Sequence, residues 1–336
     1  MTNSMSTQIQ LINRPSGWPT HDDFRVSTVE YDELAPGQVR VCNEFVSVDP
    51  YMRGRMNDTR SYVDPFALGE TITGGAVGRV VESASDSLPV GTPVLHQHGW
   101  TDVIQADAET FRPVPEIPGQ PLSVHLHIVG MTGLTAYVGL TAIAGLKEGD
   151  TVFVSGAAGA VGTAVGQIAK HLGAGRVIGS AGSAEKVALL TEKYGYDEAF
   201  NYKEVSVREQ LALSAPEGVD VYFDNVGGDH LEAALDVMND GGRIALCGAI
   251  AGYNSTDRTP GPDNMANIIT RGLKLEGFTL ANYLHIAPEF REKMSAWFAE
   301  GKIVYDETIV EGIENTVEAF LDMMRGANIG KMLVRV

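Results

Sequence analysis

The stretch Thr151–Arg176, TVFVSGAAGAVGTAVGQIAKHLGAGR, restricts the fold of this chain more than any other. Thr151–Ser155 is apolar or β-branched and is closed by glycine, which predicts a short buried strand. Val161, Val165, Ile168 and Leu172 then recur every three or four residues, the spacing of an amphipathic helix. Between them lies Gly156-Ala157-Ala158-Gly159-Ala160-Val161-Gly162. Strand, glycine turn and helix in that order are what a dinucleotide fingerprint requires. Glycine lets the chain turn sharply and brings bare backbone close to a pyrophosphate, and the helix end adds unpaired N–H groups and a positive dipole. The first fingerprint position is Ala157 rather than glycine, so the turn alone also fits a plain strand–helix connection.

Downstream the same order repeats. Strands are expected at Val177–Gly179, Glu198–Tyr202, Val219–Phe223 and Arg243–Cys247. Helices are expected at Ala184–Tyr194, Val207–Ser214 and Leu231–Met238. Repeated βα units of this kind predict an α/β fold with a doubly wound parallel sheet and a ligand at the carboxyl ends of its strands. A helix through Leu134–Ile143 leads into the unit, and Pro288–Gly301 is a further helix with a Phe290–Met294–Trp297–Phe298 stripe. Upstream, residues 1–10 read as a loose tail. Ile9–Ile12, Phe24–Val29, Gln38–Cys42, Ala76–Glu82 and Thr92–His96 read as short strands between Gly and Pro turns, a small all-β or barrel-like unit. The end of the chain, a strand near Asp306–Val310, a helix Ile313–Met324 and a strand Lys331–Val336, abandons the βα repeat and is expected to return to the first unit. The boundaries predicted are 1–128, 129–304 and 305–336.

With 336 residues, two domains are the default. A formal net charge of −18 argues against nucleic acid and anionic membrane as partners, since both require basic surface. Two cysteines, Cys42 and Cys247, supply neither a disulfide framework nor a four-cysteine zinc site. The polar MTNSMSTQIQ start has no apolar signal core, and Leu134–Leu146 is too short to cross a bilayer. A cytoplasmic chain is therefore expected.

Cofactor choice turns on the end of the second βα strand, where an NAD site places a carboxylate on the ribose 2′-hydroxyl. Here the residues are Gly179-Ser180-Ala181-Gly182-Ser183, followed by Lys186. Small hydroxyls such as Ser180 and a lysine suit a 2′-phosphate, which points to NADPH. Glu185, if turned inward, weakens that argument, and Arg176 is a lesser candidate because it opens the strand. Asp224-Asn225-Val226-Gly227-Gly228 and Cys247-Gly248-Ala249-Ile250-Ala251-Gly252-Tyr253-Asn254 come after the fourth and fifth strands and can cover the nicotinamide ribose and ring; ordinary glycine loops are the alternative. In the first unit, Val48-Asp49-Pro50-Tyr51-Met52-Arg53-Gly54-Arg55 offers Tyr51 as a hydroxyl donor to a substrate oxygen, unless it is a packing residue.

With these residues in view, the chain resembles the zinc-free medium-chain dehydrogenases/reductases, nearest the prostaglandin/leukotriene, alkenal double-bond and curcumin reductases. VDPYMRGRM (48–56), GMTGLTAYVGL (130–140), AAGAVGTAVGQIAK (157–170), FDNVGG (223–228), CGAIAGYN (247–254) and GANIGKMLVRV (326–336) carry the likeness. The resemblance implies a GroES-like, mostly β catalytic domain completed by the C-terminal segment, and a Rossmann domain. It implies NADPH-dependent reduction of a carbon–carbon double bond conjugated to a carbonyl, and a homodimer. It implies that Gly159, Ala160, Val161 and Gly162 meet the pyrophosphate, that Lys186 holds the 2′-phosphate, and that Tyr202 lines the adenosine side. It implies that Asn225 contacts the ribose region, and that Cys247, Gly248, Ala249, Ile250 and Tyr253 run along the nicotinamide half with Phe278, Thr279 and Leu280. Asn328 is implied to reach the cofactor from the tail, and Tyr51 and Tyr253 to stand at the substrate mouth as catalytic donors. The chain departs from the pattern at Phe278-Thr279-Leu280. Zinc-dependent cousins place cysteine where Asp49 stands, so no metal is expected; His96, His98, His125 and His127 lack a cysteine or HExxH partner. A quinone reductase on the same fold and a non-catalytic NADPH-binding protein are the alternatives.

Overall fold

The computed structural model describes residues 4–258 and 260–336. Two compact units form, one from everything up to Gly130 together with Glu307–Val336, the other from Met131–Asp306. Both seams lie two residues beyond those expected from the sequence.

In chain order the strands are β1 (Met5–Leu11), β2 (Phe24–Glu30), β3 (Gln38–Ser47), β4 (Ala76–Ser83), β5 (Pro93–His96), β6 (Val103–Asp107) and β7 (Arg112–Pro113). The second unit adds β8 (Thr151–Val154), β9 (Arg176–Ala181), β10 (Glu198–Asn201), β11 (Val219–Asp224), β12 (Met238–Leu246) and β13 (Lys274–Gly277). β14 (Glu307–Glu311) and β15 (Lys331–Arg335) close the chain. In the first unit β1 and β2 pair antiparallel, and a seven-stranded sheet runs β14-β15-β3-β4-β5-β7, with β6 alongside β3. The last strand thus pairs with β3, Leu333 opposite Ser47.

The expectation of a loose tail over residues 1–10 is corrected from Met5 onward; residues 1–3 lie outside the described residues. The first half of β1 escapes a pattern search because the side chains it buries there, Ser6 and Gln8, are polar. Ser6 is wholly buried, donates to the Val103 carbonyl at 2.7 Å and meets Thr101 Oγ1 at 2.8 Å. Gln8 accepts from Thr71 Oγ1 at 2.6 Å. Buried polar groups that find partners cost little, and they erase the alternation on which a strand reading depends.

The second unit holds one six-stranded parallel sheet in the order β10-β9-β8-β11-β12-β13. Its core stacks Phe153 on Tyr222 at 4.9 Å and on Phe200 at 6.0 Å. β13 was not expected, because Lys-Leu-Glu-Gly on a sheet edge shows no apolar run. β12 begins five residues before the expected Arg243, passing through Asp240-Gly241-Gly242. The expected helix over 134–143 divides into α-helix Met131–Val138 and a π-helical turn Gly139–Ile143, in which Ala144 N–H donates to Gly139 O at 2.9 Å. Glycine in the middle of a helix weakens the regular i→i−4 ladder.

Candidate active site

All six strands of the second unit are parallel, so their carboxyl ends share one sheet edge. The order reverses direction between β8 and β11, the switch point at which doubly wound sheets take ligands. Most of the expected cofactor residues emerge there. Gly159–Gly162 come after β8, Lys186 after β9, and Tyr202 after β10. Asn225 comes after β11, Cys247–Tyr253 after β12, and Phe278–Leu280 after β13. Ser180 is the exception: it lies inside β9, wholly buried, its hydroxyl without a hydrogen-bond partner among the described residues. The serine at the open end is Ser183, which caps the helix Ala184–Glu192 by accepting from Lys186 N–H at 3.3 Å.

The turn after β8 is shaped for close approach. Gly156 takes φ +59°, and a Cβ on Gly162 would lie 2.5 Å from the Gly156 carbonyl oxygen. The helix Ala160–His171 opens on Gly159, with no side-chain cap and no carboxylate in its first turn. Its N–H groups and dipole end therefore remain available to an anion, which fits a pyrophosphate.

Across the switch point β8 and β11 are clamped together. Ser155 Oγ donates to Asp224 Oδ1 at 3.1 Å and accepts the Asn225 N–H at 3.0 Å. The same carboxylate oxygen accepts N–H groups of Val226 and Gly227 at 2.9 and 2.7 Å, while burial holds the Asp224 pKa up. Asn225 Nδ2 donates to the Ser155 carbonyl at 2.8 Å, which fixes the amide on the ligand edge.

The loop after β12 starts from two N–H bonds, Cys247 and Gly248 to the Asp224 carbonyl, at 2.9 and 3.0 Å. Burial pushes the Cys247 thiol up to about 12, so it stays protonated and is no nucleophile. Tyr253 folds back over this loop, and its hydroxyl oxygen accepts the Ala249 N–H at 3.4 Å. That bond uses an acceptor lone pair and leaves the phenolic proton for another group. Burial raises the Tyr253 pKa, which keeps that proton in place at neutral pH. Phe278 packs edge-on against Phe223 at 6.5 Å.

At the outer end of the edge no carboxylate closes β9. Lys186 is half-buried; burial lowers its pKa first, and the charge of Lys203 lowers it further. Arg176 sits at the other end of β9, paired with Glu198. Lys203 is not among the residues expected from the sequence. Its signal there is its place just past β10, the strand next to β9.

In the first unit Tyr51 opens the short helix Tyr51–Arg55. Its phenol pKa is raised, by burial first and then by Asp49, while a hydrogen bond from Arg55 works the other way. An arginine can only donate, so the Tyr51 oxygen accepts and its own proton remains to be given. The Arg55 guanidinium lies 4.1 Å over the Phe66 ring, and its Nε donates to the Asp64 carbonyl at 2.9 Å. Asp49 is engaged by Ser47 Oγ at 2.5 Å and by Lys331 Nζ at 3.0 Å. Asn328 Nδ2 donates to the Gly330 carbonyl at 2.8 Å. The histidines serve the fold. His96 Nε2 meets Asn43 Oδ1 at 2.7 Å while its Nδ1 accepts the His98 N–H at 3.2 Å. His98 reaches Thr110, His125 the Pro115 carbonyl, and His127 stands 3.8 Å from Glu307. No group of three or more His, Cys, Asp or Glu is placed to hold a metal among the described residues.

A doubly wound sheet with a carboxylate-free glycine turn at its switch point, and a separate mostly β unit, make a two-unit chain of the class of the dinucleotide-binding folds. Residues 7–114 match the family described as N-terminal domain of oxidoreductase, and residues 160–300 match the zinc-binding dehydrogenase family. The chain is 45% identical over 332 residues to the putative NADP-dependent oxidoreductase YfmJ of Bacillus subtilis, covering 98% of this chain and 97% of that one. It is 40% identical over 331 residues to the NADPH-dependent curcumin reductase of Escherichia coli, covering 97% and 95%. The crystal structure of CurA in complex with NADPH from Vibrio vulnificus superposes with a TM-score of 0.92 at 40% identity, over 98% and 99% of the two chains. The chain belongs to the medium-chain dehydrogenase/reductase family, in the branch of the prostaglandin, curcumin and 2-alkenal reductases.

Proposed function

We propose that the chain reduces the carbon–carbon double bond of α,β-unsaturated aldehydes and ketones with NADPH. The observation that carries this is the sheet edge: a pyrophosphate turn, a lysine at the ribose end with no carboxylate closing β9, and a phenol on the loop after β12. Relatives named as NADPH-dependent curcumin reductase and 2-alkenal reductase support the substrate class, since a 2-alkenal carries a double bond conjugated to a carbonyl.

Bound NADPH supplies a hydride to the β-carbon, which leaves negative charge on the carbonyl oxygen. The chain's part is to orient the acceptor and to donate to that oxygen. Tyr253 and Tyr51 are the proposed donors, each with its oxygen already accepting a protein N–H and its proton unspent. Both phenols have raised pKa values, so they act as hydrogen-bond donors rather than as tyrosinate bases. Gly159–Gly162 would seat the pyrophosphate, Lys186 and Tyr202 the phosphorylated ribose, and Asn225 the second ribose. Cys247–Ile250 and Phe278–Leu280 would shape the ring pocket, and Asn328 is a further proposed cofactor ligand.

The proposed reaction uses no zinc. The position that holds cysteine in zinc-dependent cousins is Asp49, whose carboxylate is consumed by Lys331 and Ser47. A cytoplasmic homodimer is part of the same proposal; no helix among the described residues is long and apolar enough to cross a membrane. The test is NADPH oxidation over alkyl enals, cyclic and aromatic enones and quinones, with NADH as control. Fast turnover of enones with NADPH is expected, and activity confined to quinones would displace the proposal.

A further inference from the structure

We propose that Lys203 is a second cation, acting beside Lys186, that grips the 2′-phosphate of the cofactor's adenosine ribose. The inference rests on the NADPH reading above.

The two lysines are 17 residues apart in sequence, and the sheet brings them to one place. β9 and β10 are parallel neighbours whose last paired residues are Ala181 and Asn201. The residues just past the two strands therefore emerge side by side: Gly182 from one, Tyr202 and Lys203 from the other. The contact is close. A Cβ built on Gly182 would lie 3.0 Å from the Tyr202 hydroxyl and 3.1 Å from Lys203 Cε. Glycine at 182 leaves room for both side chains over the end of β9, where the ribose of a dinucleotide sits.

The turn that carries Lys203 is braced. Its N–H donates to Asn201 Oδ1 at 3.1 Å, and Asn201 Nδ2 donates to Glu204 Oε1 at 2.8 Å. The nearest carboxylate of that turn is thereby tied to its own loop. The Tyr202 ring meets buried His230 edge-on at 5.1 Å, which sets the direction of its hydroxyl. Lys203 is exposed, and its charge acts on half-buried Lys186 as repulsion. Glu185 offsets part of that repulsion, and an anion placed between the two lysines relieves the rest. A phosphate dianion does so and accepts from both ammonium groups and from the tyrosine hydroxyl. Adenosine lacking the 2′-phosphate leaves that repulsion in place, so the pair selects for the phosphorylated ribose as well as binding it.

The test uses adenosine 2′,5′-bisphosphate and adenosine 5′-monophosphate as probes, titrated calorimetrically into the whole protein, with Lys203→Met and Lys203→Arg as variants. Lys203→Met is expected to weaken the bisphosphate roughly tenfold, the loss of one charge-assisted contact, and to leave the monophosphate within about twofold. Lys203→Arg is expected to keep the bisphosphate within about threefold of wild type. Unchanged bisphosphate affinity in Lys203→Met, or an equal loss of both probes, overturns the role of Lys203. A wild-type protein that does not prefer the bisphosphate overturns the NADPH reading itself, and this inference with it.

Discussion

Lys331 Nζ lies 3.0 Å from Asp49 Oδ1, both side chains almost wholly buried, and it also donates to the carbonyls of Val48 and Met332 at 2.7 and 3.1 Å. The last strand of the chain is thereby locked to the segment that carries Tyr51. A buried ion pair with every proton satisfied is costly to break from one side, because the survivor is left charged and unpaired. Lys331→Met is expected to destabilise the protein by about 3 kcal/mol, read by urea unfolding. Asp49→Asn should cost less, since its amide oxygen still accepts from Lys331. Equal, negligible effects of both would show that the pair contributes nothing. Since this carboxylate is taken, a chelator is expected to leave turnover unchanged.

Tyr253→Phe removes one donor and little volume. If the phenol serves the developing oxyanion, kcat falls about a hundredfold to a thousandfold, the scale for one such donor. The Kd for NADPH, measured by fluorescence, should shift by less than about threefold. A parallel loss of both would make Tyr253 a cofactor clamp instead.

Acid stability depends on His96. Burial, then the neighbouring His98, lowers its pKa to about 3, and burial takes buried His230 to about 4. Unfolded imidazole takes its proton near pH ~6.5. Between those values the unfolded state binds more protons than the folded one, so stability rises with pH across the window and falls on acidification. From pH 7 to pH 5, His96 alone is expected to cost about 2 kcal/mol. Urea unfolding at the two pH values should show a smaller difference in His96→Gln than in wild type.

The second unit is legible in the sequence because its signals are local. The βα period, the glycine turn and the absence of a carboxylate after β9 are each written within about ten residues. The features that stay hidden depend on partners distant in sequence. The start of β1 reads as a polar tail because Ser6 and Gln8 find their partners at Thr101, Val103 and Thr71. Ser180 reads as an edge hydroxyl because the apolar run of β9 stops at Gly179, whereas the strand continues to Ala181. Lys203 becomes visible only when β10 is laid beside β9, and Lys331 only when the tail strand is paired with β3.

The central claim, hydride delivery to the β-carbon of a conjugated carbonyl, is tested most directly by running an alkyl enone with NADPH deuterated at the transferable C4 position. The account predicts a saturated ketone with deuterium on the β-carbon. Deuterium on the carbinol carbon of an allylic alcohol would contradict it.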